Sequence, residues 1–228
     1  MDIANRRESL HCLQMTRVEF APWKTIMTLP DRNRFESAYA GQAPWDIGRP
    51  QRTFIEVADK VTGSILDVGC GTGENALFFA KRGHKATGID FLEEPINRAI
   101  RKAVDRGVKA NFLVMDALAL NDLPEVFETV IDSGLFHVFD DADRQRYVDD
   151  LASVLKPGGK LFMLCFSDDE PGTHGPRRVS AKGIRDAFSE GWQIESLEPT
   201  RFEVRPDTNA LSFSEGGPKA WFVQVTRK

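Results

Sequence analysis

The chain has 228 residues, of which 41% are hydrophobic and 28% charged, and a formal net charge of −4. That balance supports a folded core, excludes a wholly disordered chain, and gives no general electrostatic case for nucleic acid or an anionic membrane. No apolar run reaches the 18 residues needed to cross a bilayer and residues 1–20 hold no apolar signal core, so a cytoplasmic location is expected.

Residues 1–60 are punctuated by Pro22, Pro30, Pro44 and Pro50, with Trp23, Phe35, Tyr39, Trp45 and Phe54 as intermittent apolar anchors. This reads as an N-terminal extension, tag-like at its start, that packs over the main domain. A regular rhythm begins at Ser64–Val68, a short apolar strand. A glycine-rich turn and a helix from Glu74 to about Arg82 follow. Lys85–Asp90 predicts the next strand, Glu94–Arg106 a helix, and Ala110–Val114 a third strand ending near Met115-Asp116.

Phe127–Ile131 predicts a fourth strand with Asp132 at its exit. Asp141–Leu155 has helical spacing and stops at Lys156-Pro157-Gly158-Gly159. Asp140 and Asp141 suit helix capping, and Asp149-Asp150 a solvated helix face. Lys160–Phe166 is nearly continuous in apolar residues, as a strand covered on both faces requires. Residues 167–178 predict a loop, Ala181–Phe188 a helix, and Trp192–Leu197, Thr200–Val204 and Trp221–Thr226 late strands. The whole predicts one domain over residues 1–228. The expected fold is α/β, a Rossmann-like open sheet flanked by helices, mostly parallel with an antiparallel C-terminal strand.

Cys12, Cys70 and Cys165 are widely spaced and odd in number, which argues against a disulfide scaffold. With His11, His84, His137 and His174 they make no zinc-ligand pattern, so no metal is expected.

The strongest chemical clue is Asp67-Val-Gly69-Cys-Gly71-Thr-Gly73, directly after a strand. Closely spaced glycines let a ligand approach the backbone, and the helix that follows offers free N–H groups. Asp90, at the next strand exit, can accept from ribose hydroxyls. The dinucleotide fingerprint is incomplete, because position 74 is Glu where the third glycine would stand. A carboxylate there disfavours a pyrophosphate and fits the cationic sulfonium of S-adenosylmethionine better.

Ile65-Leu-Asp67-Val-Gly69-Cys-Gly71-Thr-Gly73 resembles the first motif of the class I S-adenosylmethionine-dependent methyltransferases. Asp90 resembles their ribose-binding acid and Asp116-Ala117 the segment beside adenine. Asp132 falls where the fourth strand meets the active-site rim, and Leu155-Lys-Pro-Gly-Gly159 resembles the turn before the fifth strand. The resemblance spans most of residues 60–166. Phe35-Glu36 and Ala43-Pro-Trp45-Asp46-Ile-Gly48-Arg49-Pro50-Gln51 resemble the thiopurine and halide/thiol methyltransferase-like branch. That branch implies an N-terminal segment over cofactor and acceptor, with Trp45 beside the sulfonium or the acceptor. Simple packing of Trp45 against the sheet is the alternative.

On the acceptor side, Asp132-Ser133-Gly134-Leu135-Phe136-His137 is the leading segment. Asp132 would shape a polar edge, His137 would act as a base or orient the substrate, and Ser133, Phe136 and Arg177 would line the pocket. His137 could equally brace its own turn, and Arg177-Arg178 could serve only the loop. Phe139, Phe166, Phe202 and Phe213 could add apolar walls.

The expected reaction is methyl transfer from S-adenosylmethionine, leaving S-adenosylhomocysteine, to a small and aromatic or hydrophobic acceptor through S, O or N. Neither nucleic acid nor membrane is an expected partner. The alternatives are an NAD-dependent oxidoreductase and a non-catalytic nucleotide-binding scaffold.

Overall fold

The computed structural model describes residues 29–206 and 213–228. The tag-like start, His11, Cys12, Pro22 and Trp23 lie outside the described residues.

Seven strands form one sheet in the order β3-β2-β1-β4-β5-β7-β6. They are β1 (Ile65–Val68), β2 (Ala86–Asp90), β3 (Asn111–Val114), β4 (Phe127–Ser133), β5 (Leu155–Phe166), β6 (Trp192–Arg201) and β7 (Lys219–Arg227). Strands β1 to β5 pair in parallel, and β7 runs antiparallel to both β5 and β6. Among the described residues the α-helices are α1 (Leu29–Ala40), α2 (Arg52–Glu56), α3 (Glu74–Lys81), α4 (Glu93–Asp105), α5 (Asp141–Val154) and α6 (Ala181–Ala187). The expected α/β architecture, with its reversed C-terminal strand, is therefore what the chain forms.

The central strands are apolar on both faces because each face is covered. Leu66, Val68, Val130, Leu161 and Met163 enter one buried cluster with Tyr147 and Leu151 of α5. Their strand neighbours Ile65, Ile131, Phe162 and Leu164 enter another with Phe54 of α2 and Phe79 of α3. This is the period-two alternation of a strand, spent on two cores. From β1 the chain steps outward to β2 and β3, then returns to lay β4 on the other side of β1. That reversal opens a crevice at the carboxyl ends of β1 and β4, where open α/β sheets place their ligands.

Three local differences from the sequence reading have physical causes. Strand β5 begins at Leu155, directly from α5, because Leu155 pairs with Phe127. A register shift between Phe127 and Thr129 then absorbs Pro157-Gly158. The two strands expected at 192–197 and 200–204 are a single strand ending at Arg201. Beyond it Phe202 N bonds Pro218 O and Arg205 N bonds Pro44 O, carrying the chain onto the N-terminal segment. Helices α1 and α2 have no counterpart in the sequence reading. The apolar spacing Phe35, Ala38, Tyr39 is helical, but Asp31, Arg32, Arg34 and Glu36 dilute it.

Candidate active site

The glycine turn needs glycine for two separate reasons. Gly69, Gly71 and Gly73 have φ of 66°, 53° and 82°, the left-handed region that side chains avoid. A Cβ would also collide: at Gly73 it would lie 2.7 Å from Phe112 and 2.8 Å from Ala99, and at Gly71 2.6 Å from the Tyr39 hydroxyl. Helix α3 starts at once, and Ala76 N donates to Asp67 Oδ2 at 3.0 Å beneath the turn. Asp67 Oδ1 is buried with no partner.

Asp90 joins the turn to the end of β2. Its Oδ2 accepts from Gly71 N and its Oδ1 from Leu92 N, each at 3.0 Å. Met115 N bonds Asp90 O, bringing the end of β3 alongside, where Asp116 Oδ1 accepts from Leu118 N at 2.9 Å beside buried Ala117. Thus Asp67, Gly69, Gly71, Gly73, Asp90, Asp116 and Ala117 share one carboxyl edge of the sheet. Glu74, at the start of α3, is neutralised by Lys102 at 2.8 Å and Arg106 at 2.7 Å.

The N-terminal segment closes over this edge. Tyr39, Ala43 and Leu92 form a small core with Phe35, Trp45 and Phe91 packed against it. Trp45 Nε1 donates to the Tyr39 hydroxyl at 3.0 Å, Thr72 Oγ1 donates to Asp46 at 2.9 Å, and Arg98 donates to Tyr39 O at 2.7 Å. Glu203 then clamps the segment from behind. Its carboxylate takes both arms of Arg49 at 2.7 and 2.9 Å and Arg52 N at 2.8 Å. Gln51 and Glu203 further exchange two side-chain to backbone bonds at 2.8 Å.

At the exit of β4 the acids and rings separate by role. Asp132 is fully buried. Its carboxylate accepts from Leu135 N, Phe136 N and the Tyr147 hydroxyl, which fixes the turn after the strand. Ser133 stays half-buried at the strand end. Phe136 turns away into the core, stacked on Phe188 with the Arg144 guanidinium 4.9 Å from its ring. Its ring belongs to the core that includes Phe188 and Tyr147, apart from the cluster holding Phe166 and Phe202, so it does not line the pocket expected of it.

His137 instead points among Phe166, Phe202 and Gly134, with ring centroids 5.0 and 5.9 Å away. Phe213 packs edge-on against Phe166. His137 Nδ1 accepts from Phe166 N at 3.0 Å, which places the ring proton on Nε2, and Nε2 has no hydrogen-bond partner among the described residues. Burial, reinforced by Arg144, Arg178 and Arg34, pushes the imidazole pKa down to about 3.

Arg177 does not point to this group. It donates to Phe139 O at 2.8 Å and Asp141 at 3.0 Å, bracing the entry to α5. Asp140 caps α5 by accepting from Asp143 N. Loop 167–178 is wound around Arg178, which donates to the carbonyls of Glu170, Pro171, Gly172, His174 and Pro176 and lies over Phe166. Buried Glu170 ties that loop to Ser214 N and Lys219 N at 2.9 and 2.8 Å. Arg178 thus serves the loop, one of the two readings its sequence allowed; Glu170 and Glu203 escape the sequence reading because their partners lie across the fold, and Tyr39 was read only as an apolar anchor. For Tyr39 alone the helical spacing of α1 was a usable sign.

Among the described residues no group of three or more His, Cys, Asp or Glu could hold a metal ion, and no helix is long and apolar enough to cross a membrane. Two open depressions of about 600 and 460 Å³ lie away from the glycine turn, one lined by Lys81, His84, Lys85 and Lys109, the other by Lys60 and Lys160.

Three buried acids give the edge a pH dependence. Burial raises Asp67 to about 7, with Asp132 and Asp90 adding to it, and raises Asp90 and Asp132 to about 6. A carboxyl whose folded pKa lies above its unfolded value costs stability when ionised. That cost grows as pH rises from about 4 to 7 and is absent below the unfolded pKa. His137 works in the opposite sense, losing stability as pH falls below 6.5. Asp67→Asn isolates one group. It is expected to melt several degrees above the native chain at pH 8, on the order of 2 kcal/mol, with the gap narrowing as pH falls and closing near pH 4. A gap constant across that range contradicts the assignment.

The model of the methyltransferase domain matches residues 65–159, from β1 through the turn before the main run of β5. The chain is also 33% identical over 204 residues, 84% of its length and 88% of the relative's, to the 2-heptyl-1-hydroxyquinolin-4(1H)-one methyltransferase of Mycobacteroides abscessus. The chain belongs to the S-adenosylmethionine-dependent methyltransferases. A solved structure described as "Conversion of a Disulfide Bond into a Thioacetal Group during Echinomycin Biosynthesis" is 34% identical to this methyltransferase. It superposes with a TM-score of 0.75 over 86% of this chain and 92% of that one. The "Probable thiol methyltransferase 2" of Arabidopsis thaliana is 29% identical over 173 residues, 73% of this methyltransferase and 76% of that protein. The nicotinamide alternative is thereby set aside, in keeping with the ion-paired Glu74 where its third glycine would stand.

Proposed function

We propose that this methyltransferase methylates a small, hydrophobic or aromatic acceptor at a sulfur, oxygen or nitrogen atom. The observation that carries the acceptor class is the group of Phe166, Phe202 and Phe213 around a neutral His137 whose Nε2–H is unspent. Such a lining suits a flat, weakly acidic molecule and offers no basic track for a phosphate backbone. The relatives that act on a hydroxyquinolone and on a thiol are consistent with that class.

The turn fits an adenosyl cofactor. Gly69, Gly71 and Gly73 carry no Cβ atoms, Asp90 stands at the neighbouring strand end and the unpartnered Asp67 Oδ1 lies beneath. When bound, S-adenosylmethionine supplies an electrophilic methyl group on a cationic sulfonium. Asp90 would accept from the ribose hydroxyls, Asp116 and Ala117 would border the adenine, and Gly69, Gly71 and Gly73 would take the amino-acid end. Asp67 and Asp132 would hold the turns on either side, with Asp132 shaping the polar edge through Ser133 and Leu135. Trp45 would face the cofactor from the N-terminal cover.

In this reading His137 donates rather than accepts. Its Nδ1 is engaged by Phe166 N, so Nε2–H would hydrogen-bond the ionised acceptor heteroatom and aim its lone pair. The rings exclude water around that pair. Ser133 borders the same strand end, while Arg177 acts through the loop by fixing the turn that carries His137.

Radiolabelled methyl transfer to a panel of aromatic thiols, hydroxylated N-heterocycles, phenols, amines and tRNA tests the reading. It predicts turnover on a heterocycle or thiol and none on tRNA. Cofactor binding with no transfer to any member would favour a non-catalytic scaffold. His137→Asn keeps an acceptor for Phe166 N while removing the ring donor. It is expected to lower kcat about 10- to 100-fold, the worth of a hydrogen bond to a charged group, with cofactor affinity within two-fold. Unchanged kcat would leave His137 a structural brace only.

A further inference from the structure

We propose that Tyr39 anchors the cofactor by donating its phenolic hydrogen bond to the carboxylate at the amino-acid end of S-adenosylmethionine. This rests on the cofactor reading above and adds to it a residue from the N-terminal cover. Tyr39 is 5% exposed, yet its ring end is not simply packed. The oxygen accepts from Trp45 Nε1 at 3.0 Å, so one lone pair is used and the hydroxyl proton is directed elsewhere. No acceptor for that proton exists among the described residues. The same oxygen stands 2.6 Å from the position a Cβ on Gly71 would take, so the free donor lies over the middle glycine of the turn.

The charges around that point say what the donor is for. Asp46, Asp67 and Asp90 surround the turn with acceptors. Lys102 is engaged by Glu74 at 2.8 Å and by Thr72 Oγ1 at 2.6 Å. An anionic group entering here meets backbone N–H groups and the Tyr39 hydroxyl, with the Arg34 charge, which reaches His137, on the same helix as Tyr39. The ribose hydroxyls are themselves donors and find their acceptor in Asp90, which leaves the carboxylate as the partner that suits a phenol O–H. Burial, with the nearby Asp90 charge, raises the phenol pKa well above 10, so the proton stays available at any working pH. Phe35, Trp45 and Leu92 hold the ring in place whether or not the oxygen is present.

Two ligands separate the ends of the cofactor. S-adenosylhomocysteine carries the amino-acid carboxylate, and 5′-methylthioadenosine keeps the adenosyl part without it. In calorimetry on the full chain, Tyr39→Phe is expected to weaken S-adenosylhomocysteine about ten-fold or more and to leave 5′-methylthioadenosine unchanged. Trp45→Phe, which removes the N–H that orients the hydroxyl but keeps an aromatic face toward the cofactor, is expected to weaken S-adenosylhomocysteine more than 5′-methylthioadenosine. It keeps the test open if Tyr39→Phe melts early. An equal loss for both ligands would move Tyr39 to the ribose side and overturn the proposal, as would no loss for either. Native protein that binds neither ligand would overturn the cofactor reading itself, a separate outcome.

Discussion

Asp90→Ala is expected to weaken S-adenosylhomocysteine binding about 100-fold or more, the largest single loss in affinity anticipated for this protein. Each carboxylate oxygen of Asp90 already accepts one backbone N–H and keeps a further lone pair for a ribose hydroxyl. A hydrogen bond to a charged acceptor is worth about 1.5–3 kcal/mol, so losing two predicts at least about 3 kcal/mol of binding. The same change orphans Gly71 N and Leu92 N, both donating to this buried side chain. Each costs about 1–3 kcal/mol, so the melting temperature should fall as well. Asp90→Asn retains one acceptor oxygen and should give an intermediate loss of affinity with a milder melting shift. Calorimetry on either folded variant decides the matter, and an unchanged Kd would remove Asp90 from the cofactor site.

The second large effect is on stability. Gly73→Ala should destabilise the domain by about 3–5 kcal/mol and lower its melting temperature by roughly 6–15 °C. Two independent penalties add. The residue sits at φ 82°, where an L side chain is strained, and its Cβ would fall 2.7 Å from Phe112 and 2.8 Å from Ala99. The Ala99 Cβ is fixed to the backbone on the buried face of α4 and cannot give, while Phe112 presents the edge of a half-buried ring. Gly71→Ala, by contrast, meets only the Tyr39 hydroxyl at the end of a side chain. It should cost less stability and more cofactor affinity. Thermal melts of the two variants side by side check the ordering, and equal melting temperatures would contradict it.

The parts legible in the sequence are those whose cause is local. The short apolar run at Ile65–Val68, the glycine run after it and the next strand's acid at Asp90 are local patterns. They led directly to β1 and the turn, while the Gly71–Asp90 bond emerged only from the fold. The antiparallel end was legible as an apolar strand after the last helix. Boundaries set by pairing were not. Strand β5 gained Leu155 only because Phe127 lies opposite, and the single strand β6 is held together by β7.

Side-chain roles divided along the same line. Asp140 was readable as a cap because its partner is three residues away. The clamp of Arg49 on Glu203 joins residues 154 apart, and no local pattern announces it. His137 was visible as a candidate, but its proton position depends on Phe166 N, 29 residues on. Phe136, one residue earlier, reads as equally available for a pocket until the stacking on Phe188 puts it in the core.

Isothermal calorimetry of the purified full chain with S-adenosylhomocysteine tests the central claim most directly, that the glycine turn and Asp90 form an adenosyl-cofactor site. Saturable binding near one-to-one, weakened by Asp90→Asn, is the predicted result. No binding by protein that melts cooperatively would contradict it.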